Sequence, residues 1–161
     1  MNIVFFIASA IAIFSTFMAI TGKHPVHSLL QLIVSLLAVA VVFFTLGAPF
    51  LAALEVIVYA GAIIVLFLFI VMMLNLGPGA ENNEAIRPSD WIGPGLLCLI
   101  LFGLLVSTFF QGEPSPLGGE AIDPKTLGLR LHQSYMLGVQ MAAFLLLAGL
   151  VGATHLRKRD N

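Results

Sequence analysis

Charge is what this sequence has least of. Only 9% of its 161 residues are charged, against 60% that are apolar, whereas an ordinary soluble domain is about a quarter charged. Seven Lys and Arg with eight Asp and Glu cannot solvate the outside of a globule whose interior is already filled with hydrocarbon. A soluble globular fold is therefore excluded, and the solvent must be a bilayer. The net charge of -1 offers no basic field to a phosphate backbone, which argues against nucleic-acid binding. Cysteine is as scarce. Cys98 stands alone inside an apolar run, so an internal disulfide is impossible, and zinc and iron–sulfur sites need several ligands. No glycine-rich phosphate loop, HExxH pair or serine elbow is present, which leaves no visible active site on the chain itself. His24, His27, His132 and His155 all lie at or near the ends of apolar runs, where interfacial placement is expected rather than haem or metal ligation.

Long apolar runs are what the sequence has instead. Crossing about 30 Å of hydrocarbon at about 1.5 Å per residue takes about 20 residues, and five stretches meet that need: roughly 2–21, 26–46, 50–74, 91–111 and 134–154. They are apolar on every face, unlike the alternating strands of a barrel. The expected fold is all-α, a polytopic membrane protein with five transmembrane helices in a single domain over residues 1–161. Met1-Asn2-Ile3 carries no Lys or Arg, and the first run continues to Ile20, so a retained helix is expected rather than a cleaved signal peptide.

The punctuation agrees with these spans. Gly22 can close the first helix, Pro25 can open the second without losing a hydrogen bond, and Gly47-Ala48-Pro49 makes a tight reversal that sets helices two and three side by side. Asp90 and Ser134 stand where an N-cap would serve helices four and five. Residues 112–133, with Pro114, Pro116, Gly118, Gly119 and Pro124, have the composition of an ordered surface loop. Five crossings put the termini on opposite sides, and Arg157-Lys158-Arg159 should hold the C-terminus on the cytoplasmic side. Lys23 and Arg87 then fall inside as well, Lys125 and Arg130 fall outside, and the N-terminus is periplasmic.

Of the eight acidic residues, only Glu55 lies within a span. An ionised group at the centre of a membrane helix costs about 2.5–3.5 kcal/mol on insertion scales, so such groups face protein or a water-filled path. Glu55 is about 8 Å into its helix by rise, and its side chain is too short to reach the interface as lysine does. Two roles are open to it: handling a proton, or hydrogen bonding a neighbouring helix without moving one. Tyr59, four residues on, shares its face and can line the same polar patch or anchor at an interface. Beyond it, Ala60-Gly61-Ala62 suits either close helix packing or a local π-bulge. The pairs Gly103/Ser107, Gly138/Ala142 and Ala148/Gly152 mark further faces suited to tight contact.

The stretch from Leu54 to Asn75, LEVIVYAGAIIVLFLFIVMMLN, resembles the signature of subunit J of bacterial NADH-quinone oxidoreductase, respiratory complex I. The resemblance extends to His24-Pro25-Val26-His27, Leu46-Gly47-Ala48, Trp91-Ile92-Gly93-Pro94 and residues 145–152, so it reaches the second to fifth spans and covers most of the chain. It implies a subunit of the inner membrane that binds no flavin, iron–sulfur cluster or nucleotide of its own. FMN, the clusters and quinone would belong elsewhere in the complex. Its expected partners are lipid, the quinone-proximal subunits and the antiporter-like pumps. It also implies a third helix that converts between α and π over Ala60, Gly61, Ala62, Ile63, Ile64 and Val65, making or breaking a path lined by Glu55 and Tyr59 and so coupling quinone reduction to proton translocation. One departure is Gln140, where the family often has a glutamate; that position cannot titrate here, and weight shifts to Glu55. The rival readings are a related subunit of a multisubunit cation/proton antiporter or hydrogenase, and a purely structural membrane scaffold.

Overall fold

The computed structural model describes residues 2–22, 25–73, 92–110 and 121–158. The described residues form six helices and no strand: α1 (Asn2–Thr21), α2 (Pro25–Thr45), α3 (49–73), α4 (Ile92–Phe110), α5 (Pro124–Gln133) and α6 (Met136–Lys158). Expectations placed on Lys23, His24, Leu74, Asn75, Arg87, Asp90, Trp91 and Arg159 lie outside the described residues. The chain divides into two compact units, Met1–Ala121 and Ile122–Asn161. The first carries α1 to α4 and the second α5 and α6.

Among the described residues, four helices are long and apolar enough to cross a membrane: Ile3–Thr21, Pro25–Thr45, Pro49–Val71 and Met136–His155. The remaining expected span is a shorter apolar stretch, Ile92–Ser107 within α4. The helix as a whole has 19 residues, about 28 Å of rise at about 1.5 Å per residue, close to the hydrocarbon thickness.

Small residues and hydroxyls set how the first unit packs. Ala8 and Ile11 of α1, Val34, Ala38 and Val41 of α2 and Leu101 of α4 form its buried core, spaced three and four residues apart as one helix face requires. Ala8 and Ala38 are 0% exposed, so the α1 and α2 backbones approach closely there. A polar clasp lies beside them. Thr16 Oγ1 and Ser35 Oγ are 2.6 Å apart and lie 2.8 and 3.1 Å from the Ala12 carbonyl oxygen, so one hydroxyl donates to the other, which donates to the carbonyl. These bonds fix the antiparallel register of α1 and α2. Gly22 follows α1 where a Cβ would collide with Ser28 Oγ on the first turn of α2, so the lack of a side chain permits the sharp return.

The turn from α2 into α3 is a Schellman motif. Gly47 has φ 81°, its amide donates to the Phe44 carbonyl at 3.1 Å, and the Ala48 amide donates to Phe43 at 3.0 Å. These satisfy the last free carbonyls of α2 before Pro49 starts the next helix. A side chain at Gly47 would meet the left-handed penalty of about 1–2 kcal/mol. Gly47→Ala is accordingly expected to lower the thermal midpoint of the assembled protein; an unchanged midpoint would reject this account of the turn.

In the second unit, two expectations are corrected. The stretch expected as a loop contains α5, because Asp123 caps it: its Oδ2 accepts from the Thr126 amide and the Thr126 hydroxyl, each at 3.1 Å. Pro124 then occupies the first turn, where its missing N–H costs nothing. Ser134 caps no N-terminus. It closes α5, its amide donating to the Arg130 carbonyl at 2.9 Å, and α6 begins beyond Tyr135, whose carbonyl receives the Val139 amide at 3.0 Å.

Candidate functional site

The third helix is one rod with a changed winding in its middle. Pro49–Leu54 is α-helical, Glu55–Ile63 is π-helical, and Ile64–Met73 is α-helical again. At the entry, the Glu55 amide donates to the Leu51 and Ala52 carbonyls, the short reach of ordinary helix. At the exit, the Ile64 amide donates to Tyr59, five residues back, as well as to Gly61. That five-residue reach is the π pattern, and single π segments inside α-helices recur at functional sites.

Glu55 is the first residue of the π segment and is half-buried. Tyr59 lies inside the segment and is exposed. Among the described residues no hydrogen bond joins their side chains to each other. Four residues complete slightly more than one α turn and slightly less than one of the wider π turns, so the two positions lie near one face in either winding. Ala60, Gly61, Ala62 and Ile63 also lie in the π segment, whereas Ile64 and Val65 belong to the following α turn.

Gly61 is where this winding meets its steric limit. A Cβ there would lie 3.1 Å from the Val56 carbonyl oxygen, five residues back. Glycine removes that contact and allows the π-type approach. Val56 in turn borders an open apolar pocket of about 170 Å³, lined also by Leu37, Ala40 and Val41 of α2 and Cys98, Leu101, Phe102 and Leu105 of α4. Side chains near the start of the segment thus have room to move on that side.

Other singled-out positions are more scattered. Gln140 is exposed on α6. Among the described residues, no atom beyond their own helix backbone stands within 4 Å of a Cβ built on Gly103, Gly138 or Gly152. His27 is half-buried, and His132 and His155 are exposed. Among the described residues no three His, Cys, Asp or Glu side chains are grouped to hold a metal ion.

Comparison with known proteins bears on a helix of this kind. The family described as NADH-ubiquinone/plastoquinone oxidoreductase chain 6 matches residues 15–156, which includes the whole π segment. The chain belongs to that family. Its relatives within the chain 6 family match over nearly their full length. One from Pseudomonas aeruginosa, named NADH-quinone oxidoreductase subunit J, is 47% identical over 99% of this chain and 98% of its own. Subunit J of Escherichia coli K12 is 46% identical over 100% of this chain and 89% of its own. That of Buchnera aphidicola from Schizaphis graminum is 45% identical over 100% of both.

Proposed function

We propose that this chain is a non-redox subunit in the membrane arm of a proton-translocating NADH-quinone oxidoreductase, where its third helix couples quinone reduction to proton movement. The observation that carries this reading is a π segment opening on the single membrane carboxylate, Glu55. In this reading α4 crosses with the four longer helices, giving five transmembrane passes with the N-terminus periplasmic and the C-terminal Arg157-Lys158-Arg159 cytoplasmic. The quinone-proximal and antiporter-like subunits are its neighbours. FMN, the iron–sulfur clusters and the quinone site belong to other subunits.

The mechanism follows from helical geometry. Adding or removing one residue of winding turns everything beyond it by about 100°. Passage of the Ala60–Val65 stretch between π and α therefore turns the far part of the helix relative to Glu55 and Tyr59, which both precede it. In one winding the polar path lined by the carboxyl and hydroxyl continues past that stretch, and in the other it is broken. The carboxyl holds or passes the proton accordingly, which makes the helix a two-state element of the kind coupling requires.

Glu55→Gln keeps the shape of the side chain and removes its titration. In the assembled complex, NADH:quinone turnover is expected to fall severalfold with a reduced proton-to-electron ratio, while electron transfer from NADH to an artificial acceptor is retained. Unchanged rate and stoichiometry would show that Glu55 only packs. Gentle solubilisation followed by mass spectrometry tests membership: the chain is expected to co-purify with flavin and cluster subunits, and recovery as a monomer or homo-oligomer would defeat it.

A further inference from the structure

Two polar side chains buried in the core of the first unit have no part in the reading above. Ser15 on α1 is 0% exposed and Gln31 on α2 is 1% exposed. Ser15 Oγ and Gln31 Oε1 have no hydrogen-bond partner among the described residues.

Ser15 departs from the habit of hydroxyls on these helices. Thr21, Thr45, Ser107 and Thr154 each donate to a carbonyl three or four residues earlier, at 2.8 to 2.9 Å. That bond is always available to a hydroxyl in a helix and satisfies it without outside help. Ser15 forgoes it and continues the face of Ala8 and Ile11, which looks into the core. Gln31 continues the α2 face of Val34, Ala38 and Val41 in the same way, one turn before Ser35. Since Ser35 is bonded to Thr16, Gln31 and Ser15 lie about one turn apart along the paired helices. The Gln31 amide also reaches the start of α4, its Nε2 3.6 Å from where a Cβ on Gly93 would stand. A helix start presents amides without intrahelical acceptors, and Gln31 lies beside that start.

Apolar surroundings make an unmet carbonyl or hydroxyl costly. Residues 0% and 1% exposed offer no surface that a neighbouring subunit could reach. The occupant must be small enough to lie inside, must donate to Gln31 Oε1, and must accept from or donate to Ser15 Oγ. We propose that an internal water site lies between α1, α2 and the first turn of α4, held by Ser15 Oγ, Gln31 Oε1 and the backbone at Gly93. Water supplies both donor and acceptor, and these groups provide the two to four polar partners that buried waters take. The site ties the start of α4 to the α1–α2 pair. It does not depend on the coupling role of Glu55.

The direct test is a cryo-EM map of the whole complex at a resolution that shows ordered water. A peak within hydrogen-bond distance of both Gln31 and Ser15 is expected. Clear density for the two side chains with no peak between them overturns the site. Its energetics are tested by Ser15→Ala, Gln31→Met and the double variant in the assembled complex. Each single change strands the water with fewer partners and lowers the thermal midpoint, whereas the double change replaces the whole site with apolar groups and lowers it no further than the worse single. Losses that simply add would show that the two residues share no site.

Discussion

Gly61→Leu is expected to abolish most quinone-linked turnover while leaving the subunit in the complex. A Cβ at this position would stand 3.1 Å from the Val56 carbonyl oxygen, a contact that exists because π winding brings residue 56 up against residue 61. In an α-helix the same Cβ points into ordinary space, and leucine is among the better helix formers. The substitution thus penalises one winding and favours the other. Overpacking of this kind costs about 1–3 kcal/mol, and about 1.4 kcal/mol already shifts an equilibrium tenfold. NADH:quinone turnover should fall by about tenfold or more on that scale, with Gly61→Ala intermediate because it adds the same Cβ and nothing beyond it. Oxidation of NADH by an artificial acceptor should persist. Wild-type turnover in Gly61→Leu would sink the idea that the helix changes winding.

Ala38→Leu is expected to act at the level of assembly instead. Ala38 is completely buried and shares the core with Ala8, Ile11 and Leu101. Leucine there adds three carbons at the closest approach of α1 and α2, forcing the helices apart and stretching the Thr16–Ser35 clasp that sets their register. The cost is again about 1–3 kcal/mol, but it falls on the folded state as a whole. In cells a loss of that size changes abundance severalfold. Immunoblots of membranes should show the subunit reduced severalfold, with quinone-linked activity falling in proportion. Normal abundance would mean that the α1–α2 interface is looser than its burial implies.

The spans were legible because glycine and proline mark their ends. Helices expected over 2–21, 26–46 and 50–74 occur as Asn2–Thr21, Pro25–Thr45 and residues 49–73. The loop expected over 112–133 was misread where proline and glycine were counted without regard to position. Asp123-Pro124-Lys125-Thr126 is an N-cap, a proline at N1 and an amide received at N3, which together signal a helix start. Glu55 stood out through scarcity alone. Composition left the winding open between close packing and a π-bulge at Ala60-Gly61-Ala62, because the same residues satisfy hydrogen bonds four or five apart equally well; the resemblance implied the π state from Ala60, and the segment begins earlier, at Glu55. Ser15 and Gln31 were hidden for another reason. Helices apolar on all sides carry no periodic signal for which face turns inward, so a lone serine or glutamine gives no sign of its burial.

Much of the π segment's apolar surface is exposed: Val56, Ile57, Val58, Tyr59 and Ile63 all are, with Val56 also bordering the pocket. The free-energy gap between the two windings is therefore set largely by whatever covers those side chains. A ligand or neighbour shifts such an equilibrium only through its differential contact with the two states, and here much of that contact lies on foreign surface. The helix supplies the moving part and its surroundings own the set point. Extracted alone into detergent, the chain would report the micelle's preference, and the same sequence beside a different subunit would rest at a different balance.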